Sequence, residues 1–159
     1  LLVTRDDFED DERRRNLHNT FMKLFEYGAI PVVNENDSVA VEEIVFGDND
    51  SLSAHVAKLV EADALVILTD IDGLFSANPR EDESARLISS VDRITDEILA
   101  LAGGSGTSRG TGGMITKLHA GEIATSAGID TVVMNGSDPE DIYKLLDGRQ
   151  IGTHFKAQR

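Results

Sequence analysis

Ala64-Leu65-Val66-Ile67-Leu68, running straight into Thr69-Asp70-Ile71-Asp72-Gly73, is the stretch on which the fold turns. Five apolar residues and then a polar, glycine-ended turn predict a strand buried on both faces, the mark of a parallel sheet. Upstream, Leu52, Val56, Leu59 and Val60 recur at helical spacing behind the knot Gly47-Asp48-Asn49-Asp50, and Asp50 is the expected helix cap. The same unit recurs on either side. Asp6 to Tyr27 predicts a helix with the stripe Leu17, Phe21, Leu24, Phe25, stopped by Gly28. Ala29 to Val33 predicts a buried strand, followed by Asn34-Glu35-Asn36-Asp37. Residues 39–46 alternate loosely, as a short strand or hairpin would. Asn78 to Ser84 reads as an exposed turn, and Thr95 as the cap of a helix through Leu101. Thr131 to Met134 predicts a third buried strand, ending in Asn135-Gly136. Asp138 and Pro139 then open a helix that Gly148 ends, and a last strand is expected near residues 152–155.

Helix and apolar strand alternate throughout, which predicts an α/β domain with a mostly parallel open sheet. No repeat, heptad or long linker interrupts residues 1–159, so a single domain is expected. Strands 29–33, 64–68 and 131–134 are expected to lie parallel in one sheet, with Asn34, Thr69 and Asn135 on one rim. Such rims are where open α/β sheets bind ligands.

A second signal points to the same rim. Gly110-Thr111-Gly112-Gly113-Met114-Ile115-Thr116-Lys117 opens what reads as a helix, since Lys117, Ala120, Ile123 and Ala124 follow at helical spacing. Glycines at a helix entry leave backbone N–H groups uncovered where the helix carries partial positive charge, and Lys117 adds a cation about one turn in. That combination suits phosphate. A flexible surface loop is the plainer alternative, and the upstream run Gly103 to Ser108 is compatible with it. Asn34 to Asp37, Asp48 to Asp50 and Thr69-Asp70 each also read as turns or caps when taken singly. Together at strand ends they suit a small polar substrate carrying an ammonium group.

Bulk properties narrow the partners. The chain has 29 acidic and 15 basic residues, a net charge of −14, which disfavours duplex nucleic acid and anionic membranes. Arg13-Arg14-Arg15 lies on an acidic helix and reads as solvated. No cysteine is present, which excludes disulfides and thiolate metal sites and suits a reducing compartment. His18, His55, His119 and His154 are scattered without ligand spacing and read as structural or surface residues, and no metal-binding residues are assigned. No apolar run approaches the ~20 residues of a membrane helix.

Asn34-Glu35-Asn36-Asp37, Gly47 to Ala54, Leu68-Thr69-Asp70-Ile71-Asp72-Gly73-Leu74 and Gly110 to Lys117 occur in the order and spacing of the amino acid kinase family, which the chain resembles along essentially its whole length. The paired Asn-Glu-Asn-Asp and Gly-Asp-Asn-Asp loops resemble its glutamate-phosphorylating branch. The resemblance implies a three-layer sandwich with an open sheet between helices. It implies transfer of the ATP γ-phosphoryl group to the side-chain carboxylate of L-glutamate, giving glutamyl 5-phosphate at the start of proline synthesis. Mg-ATP, feedback by proline, homo-oligomerisation and a cytoplasmic location come with it.

Position by position, the resemblance implies that Asn34, Asp37, Asp48 and Asn49 hold glutamate, with Asp37 paired to its ammonium group. Thr69, Asp70, Thr111, Gly112, Gly113, Met114, Ile115, Thr116 and Lys117 would bind ATP. Lys117 would stabilise the transferring phosphoryl group, and Asp50 would orient lysine ammonium groups. A carboxylate acceptor is already ionised near neutral pH and needs no general base. The family's N-terminal Lys-Gly-Ser loop and its substrate-covering glycine-rich segment have no counterpart in these residues, nor does the RNA-binding-like domain found in many bacterial members. The chain therefore resembles the C-terminal part of the kinase domain, and on its own it is expected to be incomplete, with an open sheet edge. The alternatives are a non-catalytic binding fragment completed by another chain, and a related kinase with another acceptor.

Overall fold

A computed structural model describes residues 1–39, 46–103 and 113–158. The chain opens with strand β1 (Leu2–Val3), followed by helices α1 (Asp6–Glu9) and α2 (Asp11–Glu26). The single helix expected over 6–27 is thus two. Asp10 leaves helical geometry at ψ 127°, and its carboxylate accepts the Arg13 N–H at 2.9 Å, so it caps α2 rather than continuing α1.

The largest departure from expectation lies at residues 29–33, which are not a strand. Pro31 has no N–H for a ladder, and Ile30 and Val32 are 90% and 80% exposed. The strand comes one step later, as β2 (Asn34–Glu35), which pairs parallel with β1 in a separate two-stranded sheet, Leu2 opposite Asn34. The expectation of one sheet holding all three runs is therefore wrong for the first of them.

The other two runs behave as predicted. Helix α3 (Asn49–Leu59) leads into β3 (Ala64–Thr69), and helix α5 (Met114–Ser126) leads into β5 (Asp130–Asn135). β3 and β5 pair parallel over six residues, from Ala64 opposite Asp130 to Thr69 opposite Asn135. Between them come β4 (Ser90–Val91) and α4 (Asp96–Ala102), the latter capped by the Thr95 hydroxyl. Helix α6 (Asp141–Leu146) begins two residues after the expected Pro139, and β6 (Thr153–Phe155) closes the sheet. The order is β3-β5-β6-β4, with β6 antiparallel to β5 and parallel to β4, and β3 stands at one edge.

β5 is an interior strand, and the core is built on it. Thr131, Val132, Val133 and Met134 are all buried, so both faces are covered. The main core gathers Ala54 and Ala57 of α3, Leu118, Ala120 and Ala124 of α5, Leu65 and Ile67 of β3, and Phe155 of β6. Small residues on α3 and α5 let the two helices lie close against one another. A smaller cluster of Val3, Phe8 and Leu52 joins β1 and α1 to the flank of α3.

The Gly152-Thr153 pair works as a latch. The Thr153 hydroxyl accepts the Leu74 N–H at 2.8 Å and donates to the Ile88 carbonyl at 2.6 Å, tying β6 to the chain that leaves β3. Thr153 is fully buried. Thr153→Val preserves the shape but leaves the Leu74 N–H unpaired, at about 1–3 kcal/mol. The expected result is a lower urea midpoint with an unchanged slope; an unchanged midpoint would show that the two hydrogen bonds contribute nothing.

Candidate active site

Asp48, not Asp50, caps α3. Its carboxylate accepts the Ser51 N–H at 2.6 Å and the Ser51 hydroxyl at 2.9 Å. This corrects the sequence expectation, and it leaves Asp50 available for another task. Asp50 Oδ2 accepts from Lys117 Nζ at 3.0 Å and from the Thr116 hydroxyl at 2.7 Å. The side chains of Lys117 and Asp50 are 9% and 16% exposed, so this is a largely desolvated pair joining residues 67 apart in sequence. In such a setting a charge is held in place rather than screened, and removing one partner strands the other.

The pair sits where α5 begins. Gly113 is the N-cap residue, in extended geometry, and no side chain caps the helix; its first turn carries no acidic residue. The helix entry thus offers backbone N–H groups and positive dipole beside the Lys117 ammonium. Thr111 and Gly112 of the proposed ATP-binding set lie outside the described residues. Met114, Ile115 and Thr116 are half-buried in the first turn.

Thr69 and Asp70 lie at the end of β3, with the Thr69 hydroxyl 3.2 Å from Asp70 Oδ1. A cavity of about 270 Å³ brings Asp70, Gly73, Phe75 and Leu101 together with Gly113 and Met114. The end of β3 and the entry of α5 therefore share a hollow, as the strand-end argument predicts. Asn135 is on the same rim, opposite Thr69, but its side chain is used internally: it donates to Asp72 at 2.9 Å and accepts the Ser137 N–H at 2.9 Å.

The Asn-Glu-Asn-Asp stretch divides. Asn34 and Asp37 are exposed, on β2 and in the turn after it, and so belong to the two-stranded sheet rather than to the rim of β3 and β5. Glu35 points inward, 9% exposed, and accepts the Phe46 N–H at 2.8 Å. It ties the far end of the following segment back to β2, a task that sequence reasoning missed. Strand alternation was the available signal: Glu35 must face opposite to Asn34 and Asn36. Asn49, at the start of α3, lines an apolar trench of about 470 Å³ with Pro31, Val33 and Leu65.

Among the described residues no group of three or more His, Cys, Asp or Glu side chains is placed to hold a metal ion.

An open α/β sheet, a glycine-entered helix and a desolvated lysine–aspartate pair define the class of α/β domain to which this chain is compared. The sequence profile of the amino acid kinase family matches residues 1–135, and the chain belongs to that family. It is 49% identical to a protein named glutamate 5-kinase from Clostridium perfringens, over 100% of this chain and 61% of that protein. It is 53% identical to another of that name from Deinococcus radiodurans, over 99% of this chain and 43% of that protein. The chain thus spans roughly two-fifths to three-fifths of the length of these curated relatives. In fold it resembles the UMP kinase of Bacillus anthracis, with a TM-score of 0.64 at 15% identity over 89% of this chain and 52% of that one. It also resembles the isopentenyl phosphate kinase of T. acidophilum, with a TM-score of 0.62 at 22% identity over 87% of this chain and 53% of that one.

Proposed function

We propose that this chain carries the nucleotide-binding part of a glutamate 5-kinase, which transfers the γ-phosphoryl group of ATP to the side-chain carboxylate of glutamate. The observation that carries the reading is the desolvated Lys117–Asp50 pair at the uncapped entry of α5. In this reading Asp50 and Thr116 fix the lysine, and Lys117 meets the negative charge on the transferring group. The α5 N-terminus and the hollow between Asp70 and Met114 hold the nucleotide. Mg²⁺, carried on the ATP phosphates, neutralises part of their charge. Catalysis is then positioning plus charge stabilisation, with no proton to remove from the acceptor.

Asn34, Asp37, Asp48 and Asn49 are assigned to glutamate. Asp48 also caps α3, so its contribution is to place the loop as much as to touch substrate. A single kinase domain over 1–159, self-association, a cytoplasmic location and inhibition by proline belong to the same proposal.

The test is glutamate-dependent release of ADP from a polypeptide of the relatives' length containing this sequence. Turnover with glutamate and not with aspartate or carbamate supports the reading; the reverse preference overturns it. Asp37→Ala in that polypeptide is expected to raise the glutamate KM by about tenfold or more, the loss of one charge-assisted hydrogen bond of about 1.5–3 kcal/mol. The ATP KM is expected to stay within about twofold, a difference well under 1 kcal/mol. A raised ATP KM with unchanged glutamate saturation would show that Asp37 does not serve the acceptor.

A further inference from the structure

A second cleft lies away from Lys117. It is a hollow of about 630 Å³ between α2 and α3. Its walls carry Arg14, Arg15 and His18 from α2, and His55 and Lys58 from α3, against one carboxylate, Asp11. In a chain of net charge −14 this is a local reversal of sign. His55 and Lys58 follow Asp50 by five and eight residues on α3, about 7 and 12 Å along the axis at ~1.5 Å per residue, so the cleft flanks the far part of that helix.

The cations there are poorly neutralised. Arg14 pairs with Asp11 at 2.6 Å, but the two side chains are 51% and 90% exposed, and such a surface pair is worth at most about 1 kcal/mol. Among the described residues, neither Arg15 nor Lys58 has an ion-pair partner. His55 is wedged against the rings of Phe8 and Phe46, at centroid distances of 5.9 and 5.2 Å. Its pKa is held below the ordinary imidazole value, first by burial, then by Lys58 and Arg5; Glu9 alone acts the other way. The imidazole thus experiences net positive surroundings.

We propose that the cleft between α2 and α3 is a second anion site, which binds a small, multiply charged oxyanion of the phosphate class. Two guanidinium forks and an ammonium group offer several charge-assisted donors to one tetrahedral group, the geometry for which arginine is suited. The apolar ring of Phe8 at the wall lowers the local dielectric and strengthens those contacts. A free inorganic ion and a phosphorylated small molecule share this chemistry. The site stands independently of the phosphoryl-transfer reading, since its residues are none of those assigned to ATP or glutamate.

Linkage gives the test a specific readout. A bound anion favours the protonated imidazole, so it raises the pKa of His55. The experiment follows the ring nitrogens of His18 and His55 by NMR in the 159-residue chain. Inorganic phosphate, pyrophosphate and a sugar phosphate are added in turn, with sodium chloride at matched ionic strength as control. The expected result is a saturable rise of His55 pKa by about one unit. The rise is expected to vanish in the double variant Arg15→Gln, Lys58→Gln, whose side chains are exposed and whose fold is checked by the unchanged spectrum of the core. Tighter binding of the sugar phosphate would identify an ester as the source, tighter inorganic phosphate the free ion; either supports the site. A response equal to that of chloride, or retained in full by the double variant, would overturn it.

Discussion

Lys117→Ala, in a polypeptide of the relatives' length, is expected to lower turnover by about a hundred- to a thousandfold, the usual cost of losing one preorganised electrostatic contact to a transition state. The glutamate KM is expected to change little, because the ammonium is placed at the helix entry to meet charge that develops during transfer. The variant also leaves the Asp50 carboxylate, only 16% exposed, with the Thr116 hydroxyl as donor and without the Lys117 ammonium beside it. A loss of stability is therefore expected alongside the loss of rate, and the two need separating. Lys117→Met keeps the aliphatic stem that packs in the core and removes only the charge. Asp50→Asn keeps a hydrogen-bond acceptor for Thr116 while loosening the lysine. Near-normal turnover in a folded Lys117→Met enzyme would rule out the proposed role. A turnover loss matched by an equal loss of folded protein would show the pair to be structural.

Gly152→Ala is expected to be among the most destabilising single changes available in this chain. Gly152 sits at φ +69°, and a Cβ there would lie 2.2 Å from the Val133 carbonyl oxygen and 2.8 Å from Met134 Cβ. The first of these is a backbone atom of the buried central strand, which has nowhere to retreat. The left-handed conformation costs about 1–2 kcal/mol for a residue with a Cβ. The overpacking costs about 1–3 kcal/mol more. At about 2–4 °C per kcal/mol for a chain of this size, the melting temperature should fall by about 10 °C. Calorimetry or thermal circular dichroism checks this, and a fall of under about 2 °C would mean that β5 and β6 are not held as closely as the structure has them.

Several features of the fold were legible in the sequence for specific reasons. The runs at Ala64–Leu68 and Thr131–Met134 are continuous, apolar and rich in β-branched residues, and they became β3 and β5 within a residue or so of their expected ends. Helix stops at Gly28 and Gly148 were legible because glycine readily takes the positive φ that each has. Ala29–Val33 misled because its apolar composition outweighed Pro31, which withholds a ladder donor. β1, β2 and β4 span two residues each, too short for any periodicity to declare itself.

At the site the division is similar. Lys117 was identifiable because a glycine-rich helix entry followed by lysine has a chemical rationale in one dimension. Its partner's part was not: Asp48 and Asp50 are both plausible caps in sequence, and only geometry could say which carboxylate bonds its own helix and which reaches α5.

By itself, then, the sequence determined the local chemistry: the alternation of helix and buried strand, the strand ends that carry polar groups, and the glycine–lysine entry of α5. These are short-range properties, written into periodicity and residue type. The tertiary structure alone decided that Asp50 and Lys117 meet across 67 residues, that Glu35 turns inward to Phe46, and that arginines from α2 face a histidine and a lysine from α3 over one cleft. Contacts of that kind depend on how α3 and α5 pack over β3 and β5, and packing is set by the whole core acting together rather than by any stretch that can be read alone.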